Sequence, residues 1–367
     1  VSLPETVLQF GAGNFLRGFA DFFISKANRG NNPPGKIVVV QSTGLERAEA
    51  INRANGRYNV AVRGVLDGAI VDETVEVDSI SRALHAGTQW SDVLAFAASS
   101  ELRWILSNTT EAGFVLDEAD VARTTEAPKS FPAKLLAVLL ARYEAGQPGV
   151  TILPCELIEK NAEKLRALVL EQAIRWGVDE QAAQWLHDEC RWLNNLVDRI
   201  VPGAPKEHPL LGIDPLLLAV EPFAFWAIED PAGCGIEHPA IVACDDIGSY
   251  YLRKVRILNG AHSALVCKAL PMGIATVREA VEHPQVGPWL EKLLFEEIVP
   301  VLEGRCEDPD GFARATLDRF RNPFFDHQLS AIALNHEAKM AVRLVPTRAE
   351  FVERFGREPE LLASLFS

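Results

Sequence analysis

The stretch that limits this chain's fold most lies at its start. Residues 6–10 (TVLQF) have strand character and run directly into Gly11-Ala12-Gly13-Asn14-Phe15-Leu16-Arg17-Gly18, followed by an amphipathic stretch to about residue 26. A strand that turns through glycine into a helix is the opening unit of a parallel α/β sheet. The first glycine permits the tight turn, the second lets the backbone approach a pyrophosphate, and the helix start offers unpaired N–H groups to it. The third glycine of a G-x-G-x-x-G pattern is displaced: Leu16 holds its place and Gly18 follows two residues later. An ordinary tight turn can carry the same two glycines; their position between strand and helix favours a dinucleotide site. The candidate cofactor contacts here are Gly11, Gly13, Asn14, Phe15 and Arg17.

Residues 36–41 (KIVVVQ) read as the second parallel strand. Dinucleotide folds that prefer NAD usually place an acid at this strand's end, on the ribose 2′-OH. Here the end is Gln41-Ser42-Thr43, with Glu46 and Arg47 beyond. Glu46 suits a ribose, Arg47 suits a 2′-phosphate, and a solvated helix accounts for both; Ser42 is the candidate contact. Residues 58–77 alternate polar and apolar around Asp67-Gly68, a hairpin signal, read as an antiparallel excursion from the main sheet. Residues 102–107 (LRWILS) form a strand ending in Asn108-Thr109-Thr110-Glu111-Ala112-Gly113. Ligands of open α/β sheets bind beyond the carboxyl ends of strands. This loop is therefore expected to border a nicotinamide through Thr109 and Glu111, the alternative being an N-capping turn.

Further helices are expected over 88–99, 134–144, 161–176 and 180–191, and strands over 149–154, 216–225 and 240–244. Beyond about residue 246 the apolar spacing is helical almost to the end. The expected class is α/β: a Rossmann-like dinucleotide-binding domain over 1–246, then a mainly α-helical substrate and catalytic domain over 247–367.

Charge narrows the partners. The net charge is -14, which disfavours a nucleic-acid backbone or an anionic membrane. An anionic substrate would need a local cationic pocket. No apolar run reaches the roughly 18 residues of a membrane span, and the start shows no secretory signal, although it also lacks a Met. The six cysteines are scattered, with no zinc-type spacing. Reduced thiols in a cytoplasmic enzyme, without a metal, are the expectation.

The chemistry concentrates in Lys254-Val255-Arg256-Ile257-Leu258-Asn259-Gly260-Ala261-His262. At about 100° per residue, Asn259 lies near 140° and His262 near 80° from Lys254. One helical face then carries an amine, a carboxamide and an imidazole. Carbonyl reduction needs these groups: a proton donor, a donor to the developing oxyanion and a ring to orient substrate. The plain alternative is a solvated Lys, a helix-breaking Asn-Gly and a core His.

With these motifs placed, the chain resembles the polyol-specific long-chain dehydrogenase/reductase (mannitol dehydrogenase) family. The resemblance rests on QFGAGNFLRGF at 9–19, SNTTEAG at 107–113, PCELIEKN at 154–161, LVDRIVPG at 196–203, EPFAFWAIED at 221–230, KVRILNGAH at 254–262 and RFRNPFFDHQLSAIALN at 319–335. SNTTEAG, PCEL and NGAHSALV are similar to the tagaturonate reductase (altronate oxidoreductase) branch; EPFAFWAIED is more like the mannitol and fructuronate branch.

The resemblance implies zinc-independent hydride transfer with NAD, NADP being left open. It implies Lys254 as general acid/base, Asn259 and Asn194 as the carboxamides on the reacting oxygen, and His262 as a substrate-binding imidazole. Such a Lys needs a lowered pKa to act near neutral pH, and burial beside the cofactor would supply it. Lys339 matches a substrate-binding lysine, with Asn335 one helical turn before it; His327 and His336 are further candidates. Two family features differ. An acid three residues before the catalytic lysine is Tyr251 here, and an Arg eight residues before Lys339 is Ala331. The expected substrate is a ketose-type sugar acid (tagaturonate to altronate, or fructuronate to mannonate), the alternative being a polyol or polyol phosphate. A monomer is the expected assembly. A non-catalytic dinucleotide sensor would not need the Lys254, Asn259, Asn194 and His262 set.

Overall fold

The computed structural model describes residues 3–109 and 111–366. Contacts divide the chain into two compact units. One takes the chain up to Ala61, then Thr74–Val220 and Ala224–Ile247; the other takes Val62–Glu73, Glu221–Phe223 and everything from Gly248 on.

The first unit opens with β1 (Glu5–Phe10), α1 (Asn14–Gly18), α2 (Ala20–Ala27), β2 (Lys36–Gln41) and α3 (Glu46–Arg53). The hairpin β3 (Tyr58–Leu66) and β4 (Ala69–Val77) follows, its Val62–Glu73 stretch belonging to the second unit, then β5 (Ile80–His85), α4 (Trp90–Ala97) and β6 (Trp104–Ser107). Next come α5 (Phe131–Glu144), β7 (Thr151–Pro154), α6 (Asn161–Arg175), α7 (Glu180–Asp188) and β8 (Arg191–Trp192). The strands β9 (Asn195–Asp198), β10 (Leu218–Val220), β11 (Phe225–Glu229) and β12 (Ile241–Cys244) complete it.

A six-stranded parallel sheet has the order β5-β2-β1-β6-β7-β8. The strand order reverses between β1 and β6, which makes their carboxyl ends the switch point where such sheets bind ligands. The central strands are buried on both faces, as continuous runs such as IVVV and WIL require.

As read from the sequence, the 58–77 hairpin leaves the main sheet; it pairs with β10 in a separate sheet, β10-β3-β4. Two sequence expectations change. The single strand expected over 216–225 is two, β10 and β11, because Pro222 interrupts the run; β11 belongs to a third sheet, β12-β11-β9. β5 was not anticipated: only two residues separate it from the hairpin, and ISRALH lacks strict alternation.

The second unit contains α8 (Gly248–Arg253), a π-helical turn Lys254–Asn259 and α9 (Gly260–Ala269). It continues with α10 (Val277–Glu282), α11 (Val286–Lys292), a second π turn Leu293–Ile298 and α12 (Val299–Leu302). α13 (Pro309–Phe320), α14 (Leu329–Ile332), α15 (His336–Arg343), α16 (Val345–Phe355) and α17 (Glu360–Ala363) follow. Ile257, Ala261, Ala264, Leu265, Leu293 and Leu294 lie in its apolar core. Two resemblance motifs meet inside this unit. Arg319 of RFRNP forks onto Glu221 of EPFAFW at 2.9 and 2.8 Å, with both side chains no more than 3% exposed. Among the described residues no helix is long and apolar enough to cross a membrane.

Candidate active site

In the first unit, the candidate cofactor residues begin at the glycine turn. Gly11 has φ +119, which only glycine adopts readily, and a Cβ there would stand 3.0 Å from the Asn108 carbonyl oxygen. The turn after β1 thus closes onto the loop after β6, across the switch point. Gly13 differs: its φ is -67, and a Cβ on it would meet no protein atom within 4 Å. The space beside Gly13 is open, which fits a ligand backbone approaching there. Gly18 does the packing that the missing third glycine would do. A Cβ on it would lie 2.7 Å from Val220 and 2.9 Å from Leu218, so the displaced glycine keeps helix and strand close.

The neighbours divide into two kinds. Arg17 is only 3% exposed and donates to the Leu216 carbonyl and, at 2.7 Å, to Asn14 Oδ1. Burial holds its pKa below the ordinary guanidinium value. It therefore braces the turn from inside rather than facing a ligand. Phe15 stacks on Phe19 at 5.0 Å. Arg47 reaches back from α3 and donates to the Ala12 carbonyl and Asn14 Oδ1, both at 3.3 Å. Of the two open candidates after β2, the arginine is thus the one at the glycine turn. The Glu46 carboxylate instead accepts from the Leu45 N–H. Gln41 closes its own loop, accepting from Ala48 N and donating to the Thr43 carbonyl. Ser42 is exposed.

The loop after β6 is held from below by a residue that sequence reasoning did not single out. Glu156, of the PCEL motif, accepts from Ser107 Oγ at 3.0 Å, Thr109 N at 2.8 Å and Thr109 Oγ1 at 3.1 Å. Burial raises its pKa against the pull of these donors. Its signal was a lone acid directly after an apolar strand. Thr109 is accordingly anchored to Glu156. The Glu111 side chain and Thr110 lie outside the described residues.

Asn194 is 5% exposed and fully engaged. Its Oδ1 accepts from Ala162 and Glu163 N–H, both at 3.1 Å, capping α6. Its Nδ2 donates to Glu163 at 2.8 Å and Glu229 at 3.3 Å. Asn161 and Asn195 beside it are equally committed to backbone groups and to Trp226.

In the second unit, the expected α-helical wheel does not apply over Lys254–Asn259, which is a π turn. An α-helix would put Asn259 about 140° around from Lys254. A π turn closes between residues five apart, so it brings the fifth residue back over the first. Lys254 and Asn259, both half-buried, are therefore stacked on one side. The residues between them face elsewhere: Arg256 bonds Thr347 at 2.8 Å and Glu350 at 3.2 Å, and Ile257 and Leu258 are core. His262, one turn on, is buried, with its ring 4.4 Å from Phe320 and 4.9 Å from His327.

The substrate candidates further on are rearranged. Asn335 is exposed, with φ +56, and precedes α15 as its cap rather than sharing a helical face. Lys339 Nζ donates to the Ile332 carbonyl at 2.7 Å, tying α15 to α14. His336 Nε2 lies 3.2 Å from Cys267 Sγ. Arg343, at the end of α15, donates through Nη1 to the Asn259 carbonyl at 3.3 Å and to Ser263 Oγ at 3.1 Å. It carried no sequence signal.

Comparison with known proteins gives consistent matches along the chain. Residues 5–241 match the mannitol dehydrogenase Rossmann domain and residues 246–365 the mannitol dehydrogenase C-terminal domain. The altronate oxidoreductase of Bacillus subtilis (strain 168) is 42% identical, over 99% of this chain and 78% of that protein. That of Halalkalibacterium halodurans is 38% identical, over 100% of this chain and 74% of that protein. Among solved structures, a substrate-free D-sorbitol dehydrogenase superposes with TM-score 0.85 at 22% identity, over 100% of this chain and 79% of that one. Pseudomonas fluorescens mannitol 2-dehydrogenase, in ternary complex with NAD and D-mannitol, gives TM-score 0.76 at 23% identity, over 99% and 78%. At these identities the two structures speak to the fold alone.

Proposed function

We infer that this chain, which belongs to the mannitol dehydrogenase family, is a nicotinamide-dependent oxidoreductase of ketose-type sugar acids, with tagaturonate and altronate as the first pair and fructuronate and mannonate as the second. The observation that carries the reading is 42% identity with an altronate oxidoreductase over 99% of this chain and 78% of that protein. The stacking of Lys254 and Asn259 on one π turn supports it chemically. In this reading residues 1–246 bind the cofactor and 247–367 supply the proton.

The residues present fit a dinucleotide. The open space at Gly13 accepts a pyrophosphate, and Arg47 stands at the turn as its cation. Bound there, the nicotinamide supplies or takes the hydride. Asn259, whose carboxamide makes no hydrogen bond among the described residues, donates to the growing oxyanion. Lys254 gives that oxygen its proton, and in oxidation takes it back. His262, held by Phe320 and His327, orients a substrate hydroxyl. Asn194 joins only by exchanging its longer bond, to Glu229, for the substrate oxygen.

The test is a panel of tagaturonate, fructuronate, fructose and fructose 6-phosphate with NADH and NADPH. A kcat/KM at least tenfold higher for a uronate supports the reading. Preference for fructose or its phosphate replaces it with a polyol or polyol-phosphate dehydrogenase.

A further inference from the structure

We propose that Arg343 binds the carboxylate of the sugar acid, which makes it the residue that separates acids from neutral ketoses at this site. The proposal rests on the sugar-acid reading above. It starts from a contrast in how the second unit holds its arginines. Arg319 forks onto Glu221, Arg256 and Arg305 share Glu350, and Arg314 pairs with Asp310. Arg343 is half-buried where Arg256 is buried, yet it is held by a carbonyl and a hydroxyl, both neutral. Among the described residues no carboxylate pairs with it. Both bonds use Nη1, so Nε and Nη2, the other edge of the fork, keep their donors.

A guanidinium in that state is matched to an incoming carboxylate, which it can grip through two parallel bonds. Burial lowers its pKa while nearby Tyr251 raises it; neither effect removes the charge of a guanidinium near neutral pH.

Position supports the same role. The Asn259 carbonyl that Arg343 grips belongs to the residue stacked over Lys254, and Tyr251 lies one helical turn before Lys254. Lys339, the cation expected from sequence for this task, spends a donor on the Ile332 carbonyl instead. In a chain of net charge -14, a guanidinium held at the Asn259 carbonyl and paired with no carboxylate among the described residues provides the local cation that an anionic substrate needs.

The experiment compares Arg343→Met with wild type, with NADH, on a 5-keto hexuronate and on the neutral ketohexose of the same stereochemistry. Loss of a charge-assisted pair predicts a ten- to hundredfold fall in kcat/KM for the uronate, mostly through KM. The neutral ketose should change less than threefold. Arg343→Gln, which keeps a donor for the Asn259 carbonyl, gives the same readout if the Met variant folds poorly. Equal losses on both substrates, an unchanged uronate KM, or a selective uronate loss in Lys339→Met but not in Arg343→Met each overturn the assignment. Failure of the sugar-acid reading looks different: wild type itself would then prefer the neutral ketose.

Discussion

The two units treat the polar groups of their candidate residues in opposite ways. In the first unit, Asn194, Asn161, Glu156 and Arg17 are buried and bonded to protein on nearly every side. In the second, Asn259 on the π turn and Arg343 at the end of α15 are half-buried and keep donors for something else. A buried polar group must be satisfied within the fold, or it costs more than it contributes. Saturated side chains of this kind build and fix a shape. Unsaturated ones at a solvent-accessible turn are where a ligand's own polar atoms complete the count.

The largest effect expected from this contrast is on Lys254. Lys254→Ala should remove about 10²–10⁴-fold of kcat while the cofactor dissociation constant, read by fluorescence titration, stays within about threefold. Full turnover in a folded variant would move the proton donor elsewhere. Glu221→Gln probes the saturated kind of group inside the second unit. Breaking the buried pair leaves Arg319 without its counter-charge, at a cost of about 3–5 kcal/mol. Thermal denaturation should show a large loss of stability, and the kcat of protein that remains folded should be nearly normal.

The glycines sharpen the contrast within one turn. Gly18→Ala places a methyl 2.7 Å from Val220, an overpacking worth about 1–3 kcal/mol. It should lower the melting temperature. At Gly13 a Cβ meets no protein atom within 4 Å and φ is ordinary, so in Gly13→Val the melting temperature should hold while cofactor affinity falls by about tenfold. If the two variants exchange these signatures, the open space at Gly13 is not the cofactor's.

How much of this was legible depends on how local each feature is. The glycine turn and the strands at 36–41 and 104–107 follow from short runs whose burial the sequence already encodes. Lys254 and Asn259 were readable as candidates from sequence, but their shared side was not, because it depends on the turn between them being π rather than α. Nothing in KVRILN announces a wider turn, which depends on what packs around it. Arg17 looked like a cofactor contact because it sits in the motif. Its burial against Leu216 is set by chain 199 residues away. Arg343 was invisible for the same reason: an arginine ending a helix is ordinary until its neighbours are known to be neutral.

Asp21, among the buried polar groups of the first unit with an atom that lacks a hydrogen-bond partner, yields the last prediction. Asp21 is fully buried on α2, and its Oδ2 accepts from Gln9 Nε2 at 3.3 Å. Its Oδ1 and Gln9 Oε1 are both buried without a donor. A proton on the carboxyl supplies one, and burial accordingly raises the Asp21 pKa to about 7. A folded-state pKa above the unfolded one means that the folded state holds the proton more tightly. The stabilising effect is complete below the unfolded value near 3.8 and is lost as pH rises through about 7. Between roughly pH 5 and 7 the wild-type protein should lose about 1.4 kcal/mol per pH unit from this group, then level off. Asp21→Asn supplies a permanent donor and has no charge to bury. Its stability should not show this component, so the variant should overtake wild type by a margin that widens up to pH 7 and stays constant above it. Urea denaturation of both proteins at pH 5, 6, 7 and 8 reads the margin directly. A constant difference across that range would mean that Asp21 stays ionised in the fold, with a donor that the hydrogen bonds above do not include.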